Sequence, residues 1–453
     1  MKFENLPYFL RSLAVCFLGL RNSRVRYSGE FEEFFKFIKN ARDYSPSEQQ
    51  DWQKSQVLKL LRSAESGTLH YKNITYSKSD DFADLVMSLP LLYKNELRNS
   101  SHNFYNLNVK PWVKSSTSGT TGSPMVVEHG KAGMQRRFAL LKDHLELHGV
   151  EAFAPSVRLS GRIIADPSKN VSKPWLYIPS ENQLLLSSYH LNSEHKDKIV
   201  DKLKKFRPEF MDGYSSGILE TLRLLEGQFG VLSSIKVIVT TAETLDPRVR
   251  SEIENISGAM VLDYYAASEG VPIIQQCKFC TYHVRWESGI FEVKNNEGIT
   301  FEGDGELIVT SFIQDRTPLI RYCTGDYVRG LSTFQQQKCQ CGLLTPTIDG
   351  VEGRVEDIVL AKDGRKFGMF TYRTLKEIDG LAEAQVRQVD YDDFRVLGVV
   401  KQGAEPELVA KHIKSKFEQV LGYPIKFNFE KLESLPRGKN GKVRLVVNEI
   451  NQS

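Results

Sequence analysis

The 453-residue sequence contains six cysteines, too few for a disulfide framework in a chain of this length. Its formal net charge is only +4, so the overall charge gives no reason to expect nucleic acid or an anionic membrane as a partner, although it does not exclude local basic patches. The sequence has no internal repeat and no long low-complexity tract. Its 41% apolar and 26% charged residues are typical of a soluble globular protein, and its length predicts two or three domains.

The N-terminal apolar segment, residues 12–20, is too short to span a bilayer and follows Arg11 directly. It lacks a compact basic region and a small-residue cleavage site, so a signal peptide is not expected. Two interpretations stay open: a helix buried in the protein, which we favour, and an amphipathic helix that touches a membrane. We expect a cytoplasmic protein without a transmembrane segment.

From about residue 156 the sequence alternates between strand-like and helix-like patterns. This alternation predicts an α/β domain with a parallel sheet, in which ligands bind at the carboxyl ends of the strands. The clearest predicted strands are 157–164, 235–241 and 259–265, and the clearest helices are 193–206, 217–227 and 247–257. Beyond a boundary near residue 353 the pattern becomes α+β. We therefore predict a large N-terminal domain, 1–353, and a small C-terminal lid, 354–453.

A loop rich in serine, threonine and glycine occupies residues 114–124, where nine of eleven residues carry a hydroxyl group or are glycine. Free backbone N–H groups and hydroxyl donors in such a loop can surround phosphate oxygens, because glycine permits close backbone approach. The loop is therefore a candidate for binding a nucleotide triphosphate. The alternative is a mobile linker of the same composition.

Four further segments carry candidate site residues. The segment from Ala242 and the segment from Tyr265 to Glu269 each follow a predicted parallel strand, where small residues, an aromatic ring and a carboxylate suit a purine, a ribose and a magnesium ion. Tyr265 could instead belong to the core, and Glu269 could instead be an acidic residue that stabilises the N-terminus of a helix through the helix dipole. Asp326 fits two interpretations: a residue of an ordinary turn, or a carboxylate that accepts hydrogen bonds from two ribose hydroxyl groups. Lys442 fits either a solvated hairpin or a lysine that stabilises a phosphate transition state.

Four cysteines form two close pairs, Cys277 with Cys280 and Cys339 with Cys341. Two such pairs can complete a tetrahedral zinc site, with His283 as the alternative to Cys280. Four protein ligands would make this zinc site, within 277–341, structural rather than catalytic. Unliganded thiols are one alternative. A zinc ribbon that binds nucleic acid or protein is another, but basic residues do not cluster around these cysteines.

Taken in order, these segments resemble five motifs of the acyl-adenylate-forming superfamily. That superfamily includes acyl–coenzyme A ligases, luciferases and peptide-synthetase adenylation domains. The matching segments are residues 117–124, 265–269, 322–326, 353–357 and 436–442. The sequence is more closely similar to phenylacetate–coenzyme A ligases and to related proteins encoded with capsule and surface-polysaccharide genes. Residues 89–98, which resemble their Leu-Pro-x-x-x-Lys-x-x-Leu-Arg segment, and Ala242-Glu243 support this closer likeness.

The resemblance implies an ATP-dependent ligase that joins a carboxylate to AMP and releases pyrophosphate. Lys442 and Glu269 would be catalytic, with Glu269 as the magnesium ligand, and the fold would flex at Glu356. The implied ATP- and AMP-binding residues are Thr117, Ser118, Gly119, Thr120, Thr121, Gly122, Ala242, Glu243, Thr244, Tyr265, Ala266, Ala267, Ser268, Asp326 and Arg354. The phenylacetate–coenzyme A ligases and related proteins named above often carry a zinc ion, held by cysteine and histidine, at the position of the cysteine pairs.

The expected acceptor of the acyl group is coenzyme A. The alternatives are an amine, such as an amino sugar or an amino acid in surface-polysaccharide biosynthesis, and a non-catalytic nucleotide- or partner-binding module. The implied cofactors are ATP, Mg²⁺, coenzyme A and structural Zn²⁺, and the implied partner is a small carboxylic acid rather than nucleic acid. The sequence leaves open which acid is used and whether the protein is a monomer or a homodimer.

Overall fold

A computed structural model describes the chain except for residues 1–2, 117–124, 152, 161, 167–168, 244, 334–336, 355–358, 364–365, 368–373, 376–377, 402, 437–444 and 451–453. The chain divides into two units. The first comprises Met1–Leu245, Val249–Thr324 and Arg329–Gly350, and the second Asp246–Arg248, Gly325–Val328 and Val351–Ser453. Both units mix helices and strands, which agrees with the predicted fold class. The predicted boundary between residues 353 and 354 stays a prediction.

The helices are numbered in chain order among the described residues. They are α1 (Tyr8–Arg26), α2 (Glu30–Asn40), α3 (Pro46–Gly67), α4 (Phe82–Met87), α5 (Lys94–Asn99), α6 (Lys131–Leu147), α7 (Lys196–Phe206), α8 (Ser215–Leu224), α9 (Phe229–Leu232), α10 (Pro247–Ser257) and α11 (Pro406–Leu421). Their ends follow local chemistry, as α3 illustrates. Ser45 and Glu48 form a reciprocal capping box there, and Pro46 occupies the first helical turn, where no backbone N–H is needed.

The strands up to residue 300 are β1 (Pro111–Ser116), β2 (Val126–Gly130), β3 (Ser156–Ser160), β4 (Trp175–Ile178), β5 (Gln183–Ser187), β6 (Phe210–Gly213), β7 (Val237–Thr241), β8 (Met260–Tyr265), β9 (Ile274–Gln276), β10 (Tyr282–Val284), β11 (Gly289–Asn295) and β12 (Gly298–Thr300). The later strands are β13 (Gly303–Ser311), β14 (Tyr322–Leu331), β15 (Thr347–Ile348), β16 (Gly350–Arg354), β17 (Val359–Leu360), β18 (Lys366–Phe367), β19 (Leu381–Asp390), β20 (Asp393–Val400), β21 (Lys426–Leu432) and β22 (Val446–Asn448).

A nine-stranded sheet in the first unit places the candidate site. Its order is β15-β10-β9-β8-β7-β6-β3-β5-β4. The five strands from β8 to β5 in this order run parallel, and the strands at both ends pair antiparallel. The carboxyl ends of β6, β7 and β8 are therefore neighbours at one edge, which is where an open parallel sheet binds ligands.

Both faces of this sheet are covered, which explains why the first three residues of β7, Val237, Ile238 and Val239, are all apolar. Met211, Ile238 and Val261 belong to a core that includes residues of α7 and α8. Val237 and Val239, from the same strand β7, belong to the opposite core, which includes residues of α2 and α6. Successive side chains of a strand point to opposite faces, so consecutive residues of a strand between two cores are buried, as Val237, Ile238 and Val239 are.

Helix α1 does not meet the expectation of burial that we favoured. Only Arg11 and Gly19 in this helix are buried, whereas Phe9 is 66% and Phe17 is 70% exposed. The expectation was wrong because the helix contributes only one narrow side to the protein. Among the described residues, no helix has both the length and the apolar character required to cross a membrane.

The second unit contains a four-stranded sheet in the order β21-β20-β19-β22. β19 and β20 form an antiparallel hairpin, whereas the outer strands pair parallel to their neighbours. Helix α11 contributes Val409, Ile413, Phe417 and Leu421, at the spacing of one helical face, to the core of this unit. This arrangement agrees with the α+β pattern predicted for the C-terminal part.

Candidate active site

The predicted adenine and magnesium residues follow two neighbouring parallel strands. Ala242 comes directly after β7 in a left-handed conformation (φ 69°), and Tyr265 is the last residue of β8. The short segment after β8 leads to Glu269, whose side chain is buried. Because β7 and β8 pair in register from Val237 with Met260 to Thr241 with Tyr264, their ends lie side by side. The fold thus brings these two predicted segments to the same edge of the sheet.

Glu243 is held by the N-terminus of α8. Its carboxylate accepts hydrogen bonds from the Ser215 hydroxyl (3.0 Å), from the Ser216 backbone N–H (3.0 Å) and from the Ser216 hydroxyl (3.1 Å). A carboxylate at a helix N-terminus is favourable because the unpaired N–H groups and the helix dipole are positive there. Glu243 therefore fixes the segment after β7 against the helix that follows β6.

Glu269 has a lysine neighbour, since Nζ of Lys94 lies 3.5 Å from its Oε1 atom. The Lys94 side chain is 27% exposed and that of Glu269 7% exposed. The hydroxyl group of Ser268 also contacts the Glu269 carboxylate, at 3.4 Å. A nearly buried carboxylate with a cation beside it is suited to exchange that cation for a metal ion.

A buried histidine connects the candidate phosphate loop to the Glu269 segment. β1 and β2 pair antiparallel up to Ser116 and Val126, and the predicted loop residues 117–122 lie between these strands, outside the described residues. His129 on β2 contacts both the Ser115 hydroxyl and the Ser268 carbonyl through Nε2, each at 3.0 Å. Both ends of the candidate loop are therefore anchored beside the segment that carries Glu269.

The tautomer of His129 follows from its contacts. The side-chain amide of Gln314 donates to Nδ1 at 2.9 Å and also to the Glu269 carbonyl at 2.7 Å. Nδ1 is thus an acceptor, and Nε2 carries the proton that is donated to the Ser268 carbonyl. Burial lowers the pKa of His129 to about 4, so the ring is neutral near pH 7 and holds this arrangement without a charge.

Arg321 fixes the segment that delivers Lys94. Its guanidinium donates to the Met87 and Leu89 carbonyls at 2.9 and 2.8 Å and pairs with the buried carboxylate of Glu292 at 2.7 Å. The backbone N–H of Leu92 also donates to the Arg321 carbonyl, and that of Cys323 to the Leu92 carbonyl. The segment that resembles the Leu-Pro-x-x-x-Lys motif is therefore joined to the start of β14.

The remaining predicted residues are only partly described. Asp326 lies within β14, and the backbone of Arg354 ends β16. Thr244, Glu356 and Lys442 lie outside the described residues, as does the side chain of Arg354. Their predicted roles stay predictions.

The sequence interpretation missed four residues around Glu269: Lys94, His129, Arg137 and Gln314. The guanidinium of Arg137 contacts the Ala267 carbonyl at 3.4 Å. Lys94 was detectable in principle, because it is the lysine of the Leu-Pro motif. His129, Arg137 and Gln314 lie 45 to 185 positions from their partners, and no local sequence pattern reports such contacts.

Four candidate metal ligands come together elsewhere in the first unit. The ligand atoms of Cys277, His283, Cys339 and Cys341 all lie within 4.8 Å of one another. The sulfurs of Cys277 and Cys339 are 3.9 Å apart, whereas two thiolates on one tetrahedral zinc ion lie about 3.8 Å apart for Zn–S bonds of about 2.3 Å. Nδ1 of His283 contacts the Thr345 hydroxyl at 2.8 Å, which leaves Nε2, 3.2 Å from the Cys341 sulfur, available for a metal. The residues fit zinc.

Of the two predicted ligand sets, the fold assembles the one with His283 in place of Cys280. Each cysteine pair forms a similar turn, closed by bonds from the Cys277 N–H to the Thr281 carbonyl and from the Cys339 N–H to the Leu343 carbonyl. Cys280 has φ 61° and Gly342, the equivalent residue of the second turn, has φ 91°. This left-handed residue closes the turn, and the Cys280 side chain is exposed and lies outside the cluster.

The pKa values of two cluster thiols are shifted in opposite directions. A hydrogen bond from the Cys341 thiol lowers the pKa of Cys277 and raises the pKa of Cys341. Cys277 is thus the first of the pair to become a thiolate, which is the form that binds a metal. A zinc ion held here would link the turn after β9 to the turn that precedes β15.

Comparisons with known proteins show which proteins this chain resembles. Residues 360–449 match the family model for the CapK C-terminal domain. The chain is 28% identical to protein CapK of Staphylococcus aureus, over 99% of both chains. It is 24% identical to phenylacetate–coenzyme A ligase of Aromatoleum evansii, over 79% of this chain and 82% of the relative.

The solved structures show the same fold. A 2-hydroxyisobutyryl–coenzyme A ligase in the postadenylation state matches with a TM-score of 0.63 at 14% identity, over 99% of this chain and 92% of its own. The anthranilate–coenzyme A ligase AuaEII matches with a TM-score of 0.53 at 14% identity, over 80% and 70%. The sequence similarity to CapK and to phenylacetate–coenzyme A ligases, together with the fold shared with solved acyl–coenzyme A ligases, supports the adenylate-forming superfamily.

Proposed function

We propose that this protein activates a carboxylic acid with ATP, forming an acyl-adenylate and pyrophosphate, and then transfers the acyl group to coenzyme A. The observation that carries the proposal is the connection of three predicted segments at one sheet edge. His129 links the strands that flank the candidate phosphate loop to Ser268, next to Glu269, and Lys94 reaches Glu269 from the Leu-Pro segment. Relatives named as coenzyme A ligases support the acceptor.

In this proposal the loop of residues 117–122 holds the phosphates that leave as pyrophosphate. Ala242 and Tyr265, with the residues around them, border the adenine, and Asp326 binds the ribose hydroxyls as a two-oxygen acceptor. Lys442 neutralises the oxygens of the carboxylate and the α-phosphate as they approach each other. Such catalysis consists mainly of positioning and of electrostatic stabilisation.

Glu269 is the proposed magnesium ligand. Its carboxylate is nearly buried and lies beside an ammonium group, so a magnesium ion could take the place of that ammonium group as the neighbour of the carboxylate. Magnesium bound there would neutralise phosphate charge. Lys94 would hold the carboxylate ionised and correctly placed while the site has no nucleotide.

The proposed zinc ion at Cys277, His283, Cys339 and Cys341 is structural. Four protein ligands leave no open coordination position for a substrate. The ion would fasten the antiparallel edge of the nine-stranded sheet, where β10 pairs with β15.

The decisive test of the adenylation step is the exchange of labelled pyrophosphate into ATP. Lys442→Ala should abolish exchange, whereas it should leave thioester formation from supplied acyl-adenylate largely intact. Lys439→Ala, three positions earlier in the same segment, is the matched control and should keep exchange. Unchanged exchange in Lys442→Ala would remove Lys442 from the catalytic role.

A panel of carboxylic acids, assayed with and without coenzyme A, tests the acid and the acceptor. Product release that requires coenzyme A supports the proposed acceptor. Turnover that depends instead on an amino sugar or an amino acid favours an amine acceptor, and with it a role in surface-polysaccharide biosynthesis, which the full-length similarity to CapK supports. Absence of exchange with every acid would favour a non-catalytic binding module.

A further inference from the structure

The outer side of α1 has a composition unlike that of an ordinary protein surface. Every exposed residue of this helix is either a large apolar residue or an arginine: Phe9, Leu10, Leu13, Phe17, Leu18, Leu20, Arg21 and Arg24. We call these eight residues the α1 outer face. Phe9, Leu13, Phe17, Leu20 and Arg24 are spaced four or three residues apart, so they form one stripe along the helix.

The helix is firmly attached by its other side, so this face is displayed in a fixed orientation. Gly19 lies so close to β4 that a Cβ atom there would come within 2.5 Å of the Ile178 side chain. Arg26 forms an ion pair with Glu181, and the guanidinium of Arg11 donates to the Ile164 carbonyl. Gly19, Arg11 and Arg26 therefore hold the inner side of the helix on the protein, and the large apolar residues of the outer face point away from it.

Charge distinguishes between the partners that such a face could take. The sequence of α1 contains four arginines and no acidic residue. Arg21 and Arg24 are exposed, and neither forms an ion pair with any acidic group in the described part of the chain. At the other end of the helix, Nζ of Lys173 lies 4.8 Å from the centre of the Tyr8 ring. Cations thus flank both ends of an apolar stripe.

We propose that the α1 outer face binds the surface of an anionic lipid bilayer, with α1 parallel to the membrane plane. An interfacial helix inserts phenylalanine and leucine among the acyl chains while lysine and arginine contact the lipid phosphates. In an ordinary interfacial helix the side that faces away from the membrane is in contact with water. In α1 that side is in contact with the rest of the protein. The small net charge of the whole chain does not argue against this, because the relevant charges are local to the helix.

Flotation of the full-length protein with vesicles tests the proposal. Vesicles of phosphatidylcholine alone are compared with vesicles that also contain phosphatidylglycerol. The protein should float with the anionic vesicles and partition into the neutral ones at least about tenfold less, and high salt should reduce the difference.

The decisive variant is Phe9→Gln/Leu13→Gln/Phe17→Gln, which should lower partitioning into the anionic vesicles about tenfold or more. The matched control, Leu69→Gln/Leu107→Gln/Phe229→Gln, removes three equally exposed apolar side chains elsewhere on the first unit and should float like the wild type. Circular dichroism and pyrophosphate exchange in solution should be unchanged in both variants, because all six side chains are exposed and lie outside the candidate active site.

Three results would overturn the proposal. The wild-type protein could fail to float with either vesicle type, or the control variant could lose as much partitioning as the α1 variant. Light scattering could also show a wild-type dimer that the α1 variant converts to a monomer, with no flotation by either protein. That result would make the α1 outer face an interface between two copies of the chain.

Discussion

Replacing Cys339 with serine removes one of the four atoms that surround the candidate zinc position. Structural zinc binds small zinc-folding peptides with about 10–16 kcal/mol at neutral pH. If the four ligands contribute about equally, one thiolate accounts for roughly 3 kcal/mol. The loss predicts an increase in the dissociation constant for zinc of roughly a hundredfold. The sulfur separation of 3.9 Å between Cys277 and Cys339 makes this residue one of the closest members of the cluster.

The assay compares Cys339→Ser with Cys280→Ser by metal analysis and by competition with a chromophoric zinc chelator. Cys280 has the same chemistry and lies in the same pair as Cys277, yet its exposed side chain is outside the cluster. Cys280→Ser should therefore bind zinc like the wild type. His283→Ala should resemble Cys339→Ser, because the fold supplies the imidazole as the fourth ligand.

Two outcomes would refute this reasoning. If Cys280→Ser loses zinc as strongly as Cys339→Ser, the true ligand set is four cysteines and the turn after β9 must rearrange. If wild-type protein produced in zinc-supplemented medium contains no zinc, the cluster is a group of reduced thiols that holds no metal.

Three further predictions follow from other contacts. Lys94→Met should lower the magnesium concentration that half-saturates pyrophosphate exchange about two- to fivefold, because a partly exposed ion pair of at most about 1 kcal/mol no longer competes for Glu269. Lys94→Arg, which keeps the positive charge, is the control. An unchanged magnesium dependence in Lys94→Met would contradict the proposed exchange of cations. The pKa of His129 is lowered from 6.5 to about 4 by burial, so the unfolded state takes up a proton first and stability is lost as the pH falls through this interval, by roughly 3 kcal/mol. Urea unfolding of His129→Gln should lack this part of the decline, and an equally steep decline in the variant would assign it to other groups. Glu292→Gln leaves the buried Arg321 guanidinium without its counter-charge and should lower the free energy of unfolding by about 3–5 kcal/mol. Glu252→Gln, which breaks the exposed pair with Arg223, should lower it by less than about 1 kcal/mol. Equal losses in the two variants would show that the buried pair contributes no more to stability than the exposed one.

Much of the fold was predictable because the relevant signals are local. The run from Ile235 to Thr241 reads as a strand buried on both faces, and β7 occupies Val237–Thr241. The predicted helix 247–257 coincides with α10. A period of two or of 3.6 residues is set by the backbone geometry of one element, so a single sequence can reveal it.

For the candidate site, the sequence predicted which segments contribute, and the structure revealed how these segments contact each other. The order of five motifs identified the superfamily, since chance matches do not keep order over more than three hundred residues. The same motifs did not reveal that Glu243 is held by the N-terminus of α8 or that His129 connects Ser115 to Ser268. These contacts depend on which strand ends the sheet topology makes neighbours.

The sequence by itself indicated the resemblance to adenylate-forming ligases, the alternating α/β pattern and the residues that could bind a metal. Only the tertiary structure decided that His283 rather than Cys280 joins the cluster, because the left-handed residue of the turn directs its side chain away. Only the tertiary structure decided that the apolar residues of α1 face outward. The sequence sets which residues share one side of the helix, but the contacts that other elements offer, such as β4 at Gly19, determine which side packs against the protein.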